Sequence, residues 1–454
     1  MKDLYLTITV DDWDHVRRTL FTLDGNENAG VLLCGRAETT HARRLLVRRF
    51  VPVPPEQYVT RQPYHLEISP AFYNEIVTIC LRERLSPVII HSHPHHGDAW
   101  YSSSDDYGER RLLGTLTALL PHAWPASLVA TNDAIAGREL KGKQFKGLAG
   151  ITITGTRTTI HRFNDRETAE ATDERFDRQV RAFGAEGQKL LQQLRMSVVG
   201  AGGIGSLVAE QLVRAGVTNL LIVDDDQVEE SNVSRLFGAT SADNGQPKAT
   251  VLSAHLNRIA DRSANAMVDS GIRQSVLLKL RDCDVVFLCV DNDRTRAIFN
   301  RFAHQYLIPV VDHGTRLDAR EGHITAAAGR VTVAGSNLVC LRCSHHLNPE
   351  RIRAESMSAD DRRTLQREGY VMGIDEPAPA IVTINSVVAG LGATAGLNLF
   401  VGLTGALQPV DQIYDARSGA VFPVSPRHDI GCDICDQETG VKAIGDTEIV
   451  SAYD

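Results

Sequence analysis

Two groups of residues in this 454-residue chain have the types and spacings that do chemistry. From His91 to Asp105 the sequence reads H-S-H-P-x7-S-x2-D. Residues i and i+2 of a strand face the same side, so His91 and His93 can present both imidazoles to one metal. Asp105, at the start of a following helix, would add a third ligand. Three protein ligands leave the fourth tetrahedral position of a zinc ion to water, the arrangement of a catalytic rather than a structural site. Such an ion lowers the pKa of that water to about 7 and polarises a peptide carbonyl. Ser102 is placed to donate a hydrogen bond to the oxyanion that forms. Ser103 with Asp106 is a second registration of the same pattern.

The second group begins at Gly200-x-Gly202-x-x-Gly205, a strand-to-helix turn that includes Gly203 and lets backbone approach phosphates at a helix N-terminus. Asp224, at the end of the next strand, is the candidate for binding ribose, and Asp226 is a further candidate cofactor-binding residue. These features alone also fit a nicotinamide-dependent oxidoreductase. Ser231-Asn232-x-x-Arg235 and Gly245-Gln246-Pro247-Lys248 then add two cations, which suit a triphosphate under attack and are idle in hydride transfer. Asp291, in V-D-N at a strand end, is a candidate Mg²⁺ ligand. ATP and Mg²⁺ are therefore the expected cofactors. Two C-x-x-C pairs, Cys340/Cys343 and Cys432/Cys435, read as a Cys₄ structural zinc site. A redox C-x-x-C is the rival, but it does not account for two pairs, and His345 and His346 are alternative ligands.

Elements must hold these residues in place. Residues 1–163 read as one mixed α/β domain: strands at Leu4–Val10, Gly30–Cys34, Leu45–Val53 and Val88–His91, a helix after Ser69-Pro70, and another over Asp105–Leu120. Ala126–Ala130 and two segments between Gly150 and Phe163 complete a sandwich with helices flanking one sheet. Residues 164–177 read as a charged linker. Residues 178–454 open with a helix over Arg178–Leu194, then strand Met196–Val199, helix Gly205–Ala215 and strand Leu220–Asp224. Val285–Cys289 and Val310–Asp312 follow as strands, so a largely parallel, doubly wound, Rossmann-like sheet is expected. After Asp436 a loose or peripheral tail is expected.

Composition narrows the classes. A formal charge of −8 gives no reason to expect nucleic acid. The N-terminus lacks the pattern of a secretory signal, and the cysteine arrangement favours reduced thiols, so a cytoplasmic location is expected. Pro377 to Val410 carries no charge and is long enough to span a bilayer. Its Thr383, Asn385, Ser386, Thr394, Asn398 and Thr404 favour a buried helix, and no membrane association is expected.

Residues 1–163 resemble the JAB/MPN (JAMM) family of zinc isopeptidases. That family carries E-x-x-G-x-L-x-G upstream of H-[ST]-H-P and S-x-x-D. Glu27-x-x-Gly30-x-Leu32-x-x-Gly35 matches with one extra residue, and the gap from the second histidine to Ser102 is also one longer than usual. The resemblance implies a metalloprotease with Glu27 as the base.

The span of roughly residues 174–435 resembles the ThiF/MoeB/HesA family, relatives of ubiquitin-activating enzymes. It implies adenylyltransferase chemistry with Asp224 on the ribose, Asn232, Arg235 and Lys248 at phosphate and catalytic positions, and Asp291 on magnesium. It also implies that Arg178 reaches ATP phosphates, often across a homodimer. Leu236 departs from the glutamine common in MoeB-type members. Together the two resemblances imply an enzyme that trims or deconjugates a ubiquitin-like protein and adenylates its C-terminal glycine. Activation of a sulfur-carrier protein for cofactor or cysteine synthesis is the alternative, and a non-catalytic scaffold is the alternative of another class. Cys34, Cys80, Cys283 and Cys289 sit in apolar or strand contexts, so the chain is expected to stop at the acyl-adenylate or to hand it to a conjugating enzyme or other external thiol.

Overall fold

A computed structural model describes residues 2–163, 173–260, 262–358, 360–361, 379–403 and 409–447. The chain divides into two compact units: Met1–Thr168 with Ala443–Ile449, and Ala169–Lys442 with Val450–Asp454. The expected linker lies mostly outside the described residues, and its end, Asp177, already begins a helix.

Unit 1 runs β1 (Asp3–Thr9), α1 (Val10–Leu20), β2 (Ala29–Glu38), β3 (Ala42–Pro52), β4 (Tyr58–Gln62), β5 (His65–Ile68), α2 (Pro70–Glu83), β6 (Ser86–Ser92) and α3 (Ser103–Leu119). It continues with β7 (Ala126–Ala130), β8 (Ile135–Lys141), β9 (Gln144–Gly147), β10 (Gly150–Thr154) and β11 (Thr159–Arg162). One nine-stranded sheet has the order β11-β10-β1-β3-β2-β6-β7-β8-β9, and β4 and β5 pair separately as a hairpin. Alternation divides the central strands between two cores. Leu32, Cys34, Val88 and Ile90 join Val16 and Leu20 of α1. Val31, Leu33 and Ile89 join Phe72 and Ile76 of α2 and Leu113 and Leu116 of α3. Both sheet faces are thus covered, and the strands read as continuous apolar runs for that reason.

The expected loose tail is not loose over residues 443–447. Gly445 bridges Arg36, the Asp446 amide donates to Arg36 O at 2.6 Å, and the Glu38 amide donates to Asp446 Oδ2 at 2.8 Å. β2 outruns its partner β6, whose last pairing is at Cys34↔Ser86. The tail satisfies backbone groups that this overhang would leave unpaired.

Unit 2 runs α4 (Asp177–Gln193), β12 (Arg195–Val199), α5 (Gly203–Arg214), β13 (Asn219–Val223), α6 (Glu230–Val233), α7 (Lys248–Ile259), β14 (Ala264–Met267), α8 (Gln274–Leu280), β15 (Val285–Leu288) and α9 (Asp293–Tyr306). It ends with β16 (Val310–Arg320), β17 (His323–Ala334), α10 (Pro349–Glu355), α11 (Val382–Val401), β18 (Asp411–Asp415) and β19 (Ala420–Pro423). The sheet order is β14-β13-β12-β15-β16-β17-β18-β19. The first five strands are parallel and wind outward in both directions from β12 and β15, a Rossmann-like arrangement. The other half corrects the expected largely parallel sheet: β16 to β19 are antiparallel. α11, from the uncharged stretch, is long and apolar enough to cross a membrane. It packs instead against α4, α5, β16 and β17, burying Asn385, Val388, Gly392 and Leu399.

Candidate active sites

In unit 1 the direction of each β6 residue follows from strand parity. Ile90 and Ser92 face α1, where Ser92 Oγ donates to Leu20 O at 3.0 Å. Ile89 and His91 face α2 and α3, and His93, just past the strand, continues on that side. There His91 Nε2 and His93 Nε2 lie 3.3 Å apart. Asp105, in the first turn of α3, places Oδ1 3.4 Å from His91 Nε2 and Oδ2 3.5 Å from His93 Nε2. Ligands at about 2.0–2.1 Å from a tetrahedral ion are separated by roughly 3.3–3.4 Å, so the three residues fit a zinc ion.

Burial alone would raise the Asp105 carboxyl, but hydrogen bonds from His91 and His93 outweigh it and hold it well below the usual range. Asp106 pairs with Arg138 instead, so of the two registrations it is Asp105 that the structure groups with His91 and His93. Ser102 caps α3: its hydroxyl accepts the Asp105 amide at 3.2 Å and donates to Asp105 Oδ2 at 2.7 Å. Glu27 is buried with Oε1 3.7 Å from His93 Nε2, and desolvation pushes its carboxyl up. The β4–β5 hairpin holds it, with Gln62 O accepting the Glu27 amide at 3.2 Å and Arg61 Nε donating to Asn28 Oδ1 at 2.9 Å.

Two residues at this site carried no motif. Trp100, exposed, sets its ring edge-on to His93 at 5.6 Å. Glu109, one helical turn beyond Asp105, is buried with Oε1 3.8 Å from His91 Nδ1. The i, i+4 spacing of the two acids was the available signal.

In unit 2 the glycine turn lies at the point where strand order reverses, between the carboxyl ends of β12 and β15. Gly200 has φ +94°, and a Cβ there would strike Cys289 O, 2.5 Å away, in the crossing strand end. A Cβ on Gly205 would fall inside the Gly200 carbonyl, so the helix can start this close to the strand only with glycine. Open space lies over Gly202, and α5 begins there with no side-chain cap, leaving its first amides free for an anion.

Asp224 braces the turn, accepting the Ala201 amide at 2.6 Å and the Asp226 amide at 2.8 Å. Burial raises its carboxyl despite those bonds. Each oxygen keeps a second lone pair for a ribose hydroxyl. Lys248, at the start of α7, bonds Asp226 Oδ2 at 2.7 Å. Asn232 is buried, and its Oδ1 accepts the Glu229 amide at 3.1 Å, which shapes the loop carrying Arg235. The Arg235 stem lies 3.4 Å from where a Gly203 Cβ would sit, and Asn385 of α11 approaches the same point at 2.6 Å. Asn385, buried in an apolar helix with Oδ1 unpartnered among the described residues, belonged to no site motif.

Asp291 is exposed beyond β15, and its carbonyl accepts Arg351 at 2.7 Å. Arg178 is exposed on the first turn of α4 and, among the described residues, makes no hydrogen bond or ion pair with these groups. The thiol of Cys289 is pushed up by burial and by Asp312.

The four sulfurs of Cys340, Cys343, Cys432 and Cys435 lie within 4.8 Å of one another, with Cys343 and Cys435 at 3.5 Å. Zn–S bonds of about 2.3 Å place tetrahedral sulfurs roughly 3.8 Å apart, so the set fits structural zinc. Amides of Asn300 and Asp429 point at Cys340 and Cys343 sulfur, at 3.5 and 3.4 Å. His346 instead pairs its Nε2 with Asp411 at 2.6 Å, while the four cysteines gather as one set.

Residues 176–429 match the ThiF family, inside unit 2. The chain is 30% identical over 214 residues to ubiquitin-like modifier-activating enzyme 5 of Oryza sativa subsp. japonica, covering 44% of this chain and 46% of that protein. It is 29% identical over 270 residues to the SAMP-activating enzyme E1 of Haloferax volcanii, covering 59% and 90%. It is 28% identical over 275 residues to the molybdopterin-synthase adenylyltransferase of Escherichia coli strain K12, covering 59% and 100%. The match thus spans about half of the first relative's length and nearly all of the other two.

Proposed function

The chain belongs to the ThiF family through residues 176–429, and from that premise we propose that unit 2 adenylates the C-terminal carboxylate of a small glycine-terminated protein. A carboxylate oxygen bonds to the α-phosphorus of ATP, the bond to the bridging oxygen breaks, and pyrophosphate leaves. The observation that carries this reading is the convergence of a free helix N-terminus, the Arg235 side chain and the braced Asp224 at one strand-order reversal. The α5 amides bind phosphate, Arg235 and Lys248 offset the charge that grows on the leaving pyrophosphate, and Asp224 orients the ribose. Magnesium, held through Asp291, would neutralise phosphate oxygens when bound. Arg178 faces solvent, which suits a role across a homodimer.

Of the two carrier classes, a sulfur carrier is favoured over a conjugated ubiquitin-like modifier. The molybdopterin-synthase adenylyltransferase is matched over 100% of its length and the modifier-activating enzyme over 46%. No cysteine outside the Cys₄ cluster offers an exposed thiol: Cys34, Cys80 and Cys283 are buried, and Cys289 is half-buried with a raised pKa. The adenylate therefore passes to an external acceptor.

The test is exchange of labelled pyrophosphate into ATP. Exchange is expected with a carrier ending in free glycine and not with the same carrier shortened by its last residues. Exchange that ignores the carrier would reject the reading.

For unit 1 we infer a zinc hydrolase of the JAB/MPN kind that cuts at the carrier's C-terminus. The observation favouring it is the tetrahedral spacing of His91, His93 and Asp105. Zinc held there would polarise the scissile carbonyl and acidify water. Glu27 then takes the proton, and Ser102 can turn its hydroxyl toward the oxyanion. His91→Ala is expected to hold one zinc equivalent fewer than the wild type by metal analysis, with peptidase activity lost and carrier-dependent exchange intact. Unchanged metal content would sink this part alone.

A further inference from the structure

We propose that Glu109 is a positioning residue for the unit 1 metal site, fixing the tautomer and angle of His91. The inference rests on the zinc reading above. It goes beyond the ligand set, because Glu109 belongs to neither the H-x-H nor the S-x-x-D pattern.

Three observations carry it. First, His91 turns Nε2 toward His93 and Asp105, so a metal-ligating His91 must carry its ring proton on Nδ1. The group facing that nitrogen is Glu109 Oε1, at 3.8 Å. A ligand histidine almost always donates its other N–H to a carboxylate, a carbonyl or water. Second, Glu109 Oε1 is buried and has no hydrogen-bond partner among the described residues. A bare carboxylate oxygen inside a protein is costly unless something nearby uses it. A shift of under 1 Å by either side chain closes the gap to hydrogen-bond length.

Third, the other half of the carboxylate is fixed. Oε2 accepts Ser127 Oγ at 2.6 Å and Arg138 Nε at 2.8 Å. The Arg138 guanidinium is itself held between the rings of Tyr101 and Phe145, at 3.6 and 3.7 Å, and also pairs with Asp106. Asp105 and Glu109 lie one turn apart on α3, so a single helix face supplies both a ligand and the brace of another ligand. Tilting α3 would move both together.

A purely structural Glu109, present only to neutralise Arg138, would leave His91 indifferent to its charge. The test therefore reads the metal and the imidazole, in the full-length protein. Glu109→Gln keeps the shape and can still accept from Ser127 or Arg138. It is expected to weaken zinc at the histidine site by about 10–100-fold in a chelator competition, with the cysteine-bound zinc unchanged. In the zinc-loaded wild type, ¹⁵N-edited NMR of the His91 ring is expected to show a protonated Nδ1 whose hydrogen exchanges slowly with water. Should the Gln variant fold poorly, that wild-type spectrum decides by itself. Equal zinc affinity in a folded Glu109→Gln variant, or an unprotonated or freely exchanging Nδ1, overturns the role while leaving the zinc site standing. A wild type that takes up only the cysteine-bound zinc removes the zinc reading, and the role of Glu109 with it.

Discussion

Alanine at Arg235 or at Lys248 is expected to slow carrier-dependent ATP–pyrophosphate exchange by about 10²–10³-fold, the usual cost of removing one preorganised group that stabilises transition-state charge. The expectation follows from where the two cations stand. The Arg235 stem lines the space over the start of α5, and Lys248 extends from the start of α7 to within 2.7 Å of Asp226, beside the residue proposed for the ribose. Neither is a core residue: Arg235 is half-buried and, among the described residues, its side chain bonds only its own loop, Ser231 O at 3.0 Å. Loss of exchange should therefore come without loss of fold. The thermal midpoint is expected to move little and zinc content not at all. The double variant should fall well short of the product of the single effects if both act on the same leaving pyrophosphate. Single-variant rates within about threefold of wild type would remove these residues from the mechanism.

The second large effect is on stability. Asp312 is wholly buried between Arg296, at 3.2 Å, and Arg330, at 2.5 Å. The network continues from Arg330 through Thr332 to Asp411, another wholly buried acid, which holds His346. Removing one member of a buried ion set leaves charge without a partner, at a cost of about 3–5 kcal/mol. Asp312→Ala should therefore destabilise unit 2 by that amount in denaturant titrations while the unit 1 transition stays in place. Replacing Asp312, Arg296 and Arg330 together by apolar residues of similar volume should recover much of the loss.

The sign of the pH dependence follows from the carboxyl itself. Burial would raise it, but Arg330 and Arg296 outweigh burial and the folded value lies below the ordinary 3.8. The contribution is thus complete above that ordinary value and is lost as pH falls through the folded one. A cost under about 1 kcal/mol for Asp312→Ala would mean that the arginines find water instead.

The same network explains part of what sequence did not reveal. The H-x-H, glycine-turn and C-x-x-C patterns were legible because each depends on short spacing along one strand or turn, and the structure gathers each set. β16 was legible only as Val310–Asp312, because His313, Gly314 and Arg316 interrupt the apolar run beyond it. The charge of Asp312 is compensated by Arg296 on α9 and Arg330 on β17, neither of them a neighbour in sequence. α1, written DDWDHVRRTL after its first valine, buries only Val16 and Leu20, too few for a helical face to stand out. Asn385 acquires its neighbours only through tertiary packing, and Glu109 showed in sequence no more than its i, i+4 spacing from Asp105. Residues 443–447 dock mainly through backbone groups and small side chains, which leave no periodic trace.

That docking sets an order on biosynthesis. β2 and β6 and the helices around them can pair as soon as residues 1–168 have left the ribosome, yet the overhang at Arg36–Glu38 stays bare until residues 443–447 have been translated. For the whole time that unit 2 is being made, a nascent strand edge is open to strangers. It is short and flanked by the charges of Arg36 and Glu38, the kind of edge on which intruding strands do not settle.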